Sequence, residues 1–133
     1  MNYVIESFFT GIYTCIVYLI FRPFIKNFYI LLLVVGFAKH YFGSTIGLWI
    51  WYCNNGEACV NTLNENQIYT SNTTHLIRDS IIESIVFLLC GQILLRAFKS
   101  KMQVFFALGC LLHIVAENVG IHKQFCEKNC SKK

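Results

Sequence analysis

The chain has 133 residues, of which 56% are hydrophobic, 16% aromatic and only 14% charged. A water-soluble domain averages about 25% charged residues, and a chain this short cannot hide so many Phe, Ile, Leu and Tyr side chains from water. An ordinary soluble globule is therefore excluded and lipid is required as a second solvent; the net charge of +4, with no interleaving of basic and aromatic residues, also excludes nucleic-acid binding.

The first apolar segment runs from Tyr3 to Phe21, interrupted only by Glu6 and small polar residues. No Lys or Arg precedes it and no small-x-small cleavage site follows, so it reads as a retained helix rather than a signal peptide. Arg22, Pro23 and Lys26 then form a short basic turn. The second segment, Phe28 to Tyr52, is about 25 residues, or roughly 37 Å as a helix at 1.5 Å per residue. That exceeds the roughly 30 Å hydrocarbon core, so tilt or a kink is expected. Its end, Trp49, Trp51 and Tyr52, reads as an interfacial aromatic belt.

Cys53 to His75 reads as one polar loop, rich in Asn and Thr and free of Lys and Arg. The third segment, Ser80 to Phe98, is weakened by Glu83 and Gln92, and the basic turn Lys99–Lys101 follows it. The fourth runs from Met102 to Ile121 and ends in a short basic tail. Each segment matches the spanning length of about 20 residues. The expected fold is all-α and integral to the membrane, a single domain of about four transmembrane helices with one polar loop between the second and third.

Four spans place both basic turns on one face, and the loop and both termini on the other. The basic residues are evenly divided between the two faces, but Arg22 and Lys26 follow the first helix and nothing basic precedes it. This favours turns in the cytosol. The loop and tail then share an oxidising face with Cys53, Cys59, Cys126 and Cys130. Four such cysteines read as two disulfides, with three pairings open. Free thiols or a zinc site are the alternatives, although C-x5-C and C-x3-C do not form the usual matched ligand pairs. Cys15, Cys90 and Cys110 fall inside spans, where a free Cys serves as a small hydrophobe. The sequons at Asn72 and Asn129 read as chance matches.

Gly36, His40, Gly43 and Gly47 share one helical face, and Gly43–Gly47 is a G-x-x-x-G match that lets two backbones approach closely. Gly109, His113, Glu117 and Gly120 form a similar stripe on the fourth segment. The two stripes are expected to pack together. Lys39 is the sharper feature, because a charge near mid-bilayer costs roughly 2.5–3.5 kcal/mol on the lenient insertion scale. Its expected partners are Glu83 and Glu117, within one buried polar cluster of Glu6, Lys39, His40, Glu83, His113 and Glu117. His75 and His122 read as interfacial and solvated. Ser44 and Ser84 lack a positioned His–acid pair, and no phosphate loop or zinc-spaced histidine set stands out. No catalytic residue, cofactor or metal is expected.

The stretch Gly36 to Cys59, GFAKHYFGSTIGLWIWYCNNGEAC, resembles a segment of small multi-span membrane proteins of large nucleocytoplasmic DNA viruses. The features shared are Lys39-His40, Gly43 and Gly47, the aromatic run ending at Cys53, and Cys59. The resemblance covers about a fifth of the chain and carries no catalytic residue. It implies a structural protein of a virion inner membrane or a membrane derived from the endoplasmic reticulum, contacting lipid and other membrane or capsid proteins. A homo-oligomer stays open. The competing functions are a membrane thiol–disulfide oxidoreductase, against which the absence of any C-x-x-C counts, and a small channel lined by Lys39 and His40.

Overall fold

The computed structural model describes residues 2–64, 66–71 and 75–132. In chain order the elements are α1 (Tyr3–Phe21), α2 (Phe28–Thr45), α3 (Leu48–Asn55), α4 (Glu57–Thr62), β1 (Tyr69–Ser71), α5 (Leu76–Ala97), α6 (Lys101–Asn118), α7 (Ile121–Asn129) and β2 (Cys130–Lys132). The four long helices form an up-and-down bundle in which α1 packs chiefly on α6 and α2 chiefly on α5. The short elements fold together into a cap at one end, and the two basic turns lie at the other.

Local chemistry sets the helix ends. The Asn2 side chain accepts the Val4 N–H at 2.8 Å, and the Asn27 side chain accepts those of Tyr29 and Ile30 at 2.9 and 3.3 Å. These bonds satisfy donors that the first turn of a helix leaves free. Pro23 stops α1, since it has no N–H to continue the ladder. Inside the apolar helices the hydroxyls turn back on their own backbone: Ser7 donates to the Val4 carbonyl, Thr10 to Glu6, Thr14 to Thr10 and Ser80 to Leu76. Each of these four hydroxyls is thus matched without water.

Helices α1, α2 and α5 are each long and apolar enough to cross a membrane, and α6 reaches that standard together with α7, from which it is bent by 76°. The 22 residues of α5 span about 33 Å. It begins at Leu76, four residues before the expected Ser80, because the polar turn around Arg78 and Asp79 is helical too.

The expected continuous segment from Phe28 to Tyr52 is broken. Helix α2 stops at Thr45, and Gly47 adopts φ +85° before α3 begins. Gly120, at φ +86°, makes the same break between α6 and α7. The left-handed region is open to glycine at little cost and is strained for side chains with a Cβ. The kink that the length of the second segment calls for is therefore located at a hinge glycine. Two such hinges turn α3 and α7 into the cap.

The interior has two apolar cores. Towards the basic turns Val17, Tyr18, Phe28, Leu32, Val35, Phe87, Phe105 and Leu108 are buried together, with Tyr18 stacked on Phe105 at 4.5 Å between ring centroids. In the cap, Tyr52, Ala58 and Tyr69 bury against the four cap cysteines. The outer surface of the bundle is apolar as well: Ile5, Phe8, Phe9, Ile16 and Ile20 of α1 and Ile81, Ile85, Leu89 and Ile93 of α5 are exposed, whereas Glu6, Ser7, Thr14, Ser80 and Ser84 are buried. This polarity is the reverse of a soluble bundle's, where the charged face points outward.

Candidate functional site: a polar layer beneath a disulfide-locked cap

The cap is closed by two disulfides, Cys53–Cys130 and Cys59–Cys126, with Cα separations of 5.7 and 5.2 Å. Of the three possible pairings, this one ties the α3–α4 arm to the α7–β2 arm twice. Strands β1 and β2 add an antiparallel clasp in which Tyr69 faces Lys132 and Ser71 faces Cys130. The Asn54 side chain holds β1 from the other side, accepting the Tyr69 N–H and donating to the Tyr69 carbonyl, both at 2.9 Å. The stretch expected to be an open polar loop is therefore largely built structure. Its sequon at Asn72 lies outside the described residues; Cys130 of the second sequon is in a disulfide. Cys15, Cys90 and Cys110 are free of disulfides and half-buried on the long helices.

The aromatic belt is reduced to one residue. Trp51 is exposed, but Tyr52 is buried in the cap, and Trp49 packs between His40 and Phe125 at centroid distances of 5.0 and 5.2 Å. The bend at Gly47 rotates these rings inward, away from the position that a straight helix gives them.

Between the two apolar cores lies a polar layer, and the six residues expected as one cluster are divided there. In the first group Lys39 Nζ is 2.6 Å from Glu83 Oε1, and His40 Nδ1 is 2.6 Å from Glu83 Oε2. One carboxylate thus serves two bases that are adjacent in sequence. The Lys39 ammonium also lies 5.4 Å from the centre of the Phe87 ring, within cation–π range. The Tyr13 hydroxyl donates to the Lys39 carbonyl at 2.9 Å and the Ser84 hydroxyl to the Leu33 carbonyl at 2.6 Å, which binds α2 to both neighbours.

The second group joins α1, α6, α7 and the cap. Glu6 Oε2 is 3.2 Å from His113 Nε2, and the two side chains are only 3% and 10% exposed. Glu6 Oε1 accepts the backbone N–H of Glu57 at 2.6 Å, while the Glu57 carboxylate accepts the N–H of Tyr3. Each glutamate therefore satisfies a free donor at the start of the other's helix. Glu117, expected near Lys39, bonds instead to His122 Nδ1 at 2.9 Å.

Two members of this group escaped the sequence reading. His122, expected to be solvated, is folded back by Gly120 until its ring centre lies 4.4 Å from that of His113. Tyr52 packs against both imidazoles, at 5.4 Å from His122 and 6.3 Å from His113. Burial, reinforced by the negative charges of Glu6 and Glu117, pushes the Tyr52 phenol well above its ordinary value. Burial likewise draws His122 below the usual imidazole range, against the opposing pull of Glu117.

The glycines do not pack as the stripes suggest. The α2 and α6 faces do not form the main interfaces; each helix packs chiefly on a different neighbour. A Cβ on Gly36 would meet the Ser84 Cα and the Phe87 ring of α5 at 2.9 Å, and one on Gly109 would meet Thr14 Oγ1 at 2.5 Å and Gly11 Cα at 2.8 Å on α1. Gly43 faces Trp49 of its own chain segment, and nothing lies within 4 Å of a Cβ on Gly47 or Gly120. Three of the five expected glycines thus admit close neighbours and two are hinges. Gly11 and Gly91, which the stripes omit, are close-approach positions too, against Cys110 and Leu32.

No protein-family model matches the chain, and neither the curated proteins nor the solved structures contain a match to it.

Proposed function

We propose that this chain is a structural multi-span membrane protein that displays a disulfide-locked cap on the oxidising side of its membrane. The observation that carries the reading is the inverted polarity of the bundle: large apolar side chains outside, Glu6 and hydroxyls buried inside, and Lys39 and Glu83 paired and largely shielded there. In water that distribution would leave an exposed apolar surface far beyond what a soluble monomer tolerates. In lipid it is the low-energy arrangement, because intramembrane charges face the bundle interior and pair there. Disulfides persist in oxidising compartments, so the cap belongs to the lumenal or external side. The turns carrying Arg22, Lys26, Lys99 and Lys101 then face the cytosol.

A partner is met at the cap or at the basic turns. Lys123, Lys128 and Lys132 are exposed on the cap and suit an acidic protein surface. The placement in a virion inner membrane, with capsid or scaffold proteins as partners, rests on the resemblance of the Gly36–Cys59 segment alone.

The alternatives have less behind them. An oxidoreductase needs a thiolate that can reach its substrate, and here all four bridged cysteines are buried. A channel lined by Lys39 and His40 would leave them facing water, whereas both are engaged by Glu83. Quantitative mass spectrometry and lysine cross-linking of purified particles test the proposal. The expected result is a fixed copy number in the lipid-containing fraction, with cross-links from cap lysines to shell proteins. Absence of the chain from particles would refute the virion placement.

A further inference from the structure

His113 and Glu117 lie one turn apart on α6, so they share a face, and the bend at Gly120 folds His122 back over them. One donor atom from each of the three lies within 4.8 Å of those of the other two. Glu6 stands behind His113, its Oε2 3.2 Å from the Nε2 atom. A second observation points to the same place. Tyr52 is more than nine-tenths buried, its ring packs on both imidazoles, and its hydroxyl lies beside the Glu117 carboxylate with no hydrogen bond of ordinary geometry among the described residues.

We propose that His113, Glu117 and His122 bind a divalent transition metal of the zinc type, with Glu6 orienting His113. Two imidazoles and one carboxylate suit zinc and its neighbours, whereas magnesium and calcium prefer all-oxygen sets. A carboxylate on the far nitrogen of a ligating histidine fixes its tautomer and raises its basicity; Glu6, on Nε2, takes that place when His113 ligates through Nδ1, which lies 3.4 Å from the Thr10 hydroxyl oxygen. Three protein ligands leave one tetrahedral position for water or for the Tyr52 hydroxyl. Bound there, the ion would join α6 to α7 across the Gly120 bend and offset the negative charge of Glu6 and Glu117. The Glu117–His122 hydrogen bond brings the ligands together without it. Cys59, Cys126 and Cys130 also lie close together, but they are committed to disulfides and belong to no part of this site.

The test uses the full chain in detergent with its disulfides intact, stripped by a chelator and then equilibrated with zinc chloride or cobalt chloride. The expected result is one zinc per chain, not displaced by excess magnesium. Cobalt should give tetrahedral visible bands without sulfur-to-metal charge transfer. His122→Ala and Glu117→Gln should each abolish stoichiometric binding, Glu6→Gln should weaken it about 10–100-fold, and the exposed His75→Ala should leave it unchanged. Zinc that binds only after reduction of the disulfides, equal loss in His75→Ala, or no stoichiometric zinc would each overturn the proposal. Should the ligand variants fail to fold, the cobalt spectrum of the unaltered chain decides alone: sulfur charge transfer or an octahedral spectrum refutes the site.

Discussion

Lys39 Nζ of α2 lies 2.6 Å from Glu83 Oε1 of α5, and the same carboxylate holds His40 through its other oxygen. These residues are distant in sequence, yet they join the two helices of a principal packing pair within the bundle interior. A lone charge here has no water to fall back on. Removing one partner of a buried pair costs about 3–5 kcal/mol, while replacing both with apolar groups is often neutral. Lys39→Met should therefore lower the unfolding free energy in detergent by about 3 kcal/mol, and Glu83→Leu by a similar amount. The double variant Lys39→Met/Glu83→Leu should recover part of the loss, since it removes the unpaired charge but leaves His40 without its carboxylate. A double-mutant cycle by thermal or denaturant unfolding checks this, and strict additivity would show that the pair is uncoupled.

The bridges Cys53–Cys130 and Cys59–Cys126 close loops with sequence separations of 77 and 67 residues. Each encloses the whole α5–α6 hairpin. Non-reducing peptide mapping should recover these two pairs and neither alternative pairing. In the chain-entropy view one bridge across a loop of this length is worth about 4 kcal/mol. Because one loop lies inside the other, each bridge closes only a short effective loop while its neighbour is intact, so removing both should cost more than the sum of the two single losses. Thermal midpoints of Cys59→Ala/Cys126→Ala, of Cys53→Ala/Cys130→Ala and of the four-cysteine variant test it; a four-cysteine loss no larger than that of one single-bridge variant would contradict it.

Gly109 and the two hinge glycines should respond to substitution for different reasons. At Gly109 an added methyl meets Thr14 and the Gly11 backbone, so Gly109→Val should overpack the α1–α6 interface and cost about 1–3 kcal/mol. At Gly47 and Gly120 there is space but φ is +85° and +86°. There Ala should cost about 1–2 kcal/mol through backbone strain, and Asn, which tolerates that region better, should cost less. Comparing Ala with Asn at both hinges by thermal unfolding separates strain from sterics; equal losses would argue against it.

Tyr52→Phe removes a buried hydroxyl that lies beside Glu117 without a hydrogen bond of ordinary geometry among the described residues, and keeps the ring packed on His113, His122 and Phe125. In metal-free protein the change should be neutral or stabilising by about 1 kcal/mol. Tyr52→Ala should cost about 3–5 kcal/mol, as expected for loss of a buried aromatic ring. Unfolding of both variants in the presence of a chelator is the check.

The long helices were legible because run length and apolar content are local properties, and α1 matches its expected bounds residue for residue. Glu6, Lys39, His40, Glu83, His113 and Glu117 were legible as members of the polar layer because charge in an apolar run demands a partner, but Tyr52 and His122 were not, and the partners follow from helix neighbours. Glu117 and Glu83 looked alike as candidates for Lys39 until α2 packed chiefly on α5. Gly47 and Gly120 concealed the hinges, since their spacing from Gly43 and His113 also fits a packing stripe. His122 was missed for a related reason. In the tail sequence His-Lys-Gln it reads as solvated, and only the turn at Gly120, which the expected segment to Ile121 absorbs into the helix, brings it back. The cap owes its form to cysteine pairing between distant segments, which spacing alone leaves open among three solutions.

The most direct test of the inserted bundle is labelling in sealed vesicles with a membrane-impermeant maleimide, with and without reductant and permeabilisation. With the cap on the enclosed side, Cys53, Cys59, Cys126 and Cys130 should react only when the vesicles are both opened and reduced. Labelling of those four cysteines in intact vesicles without reductant, or release of the chain from the vesicles by alkaline wash, would contradict the account.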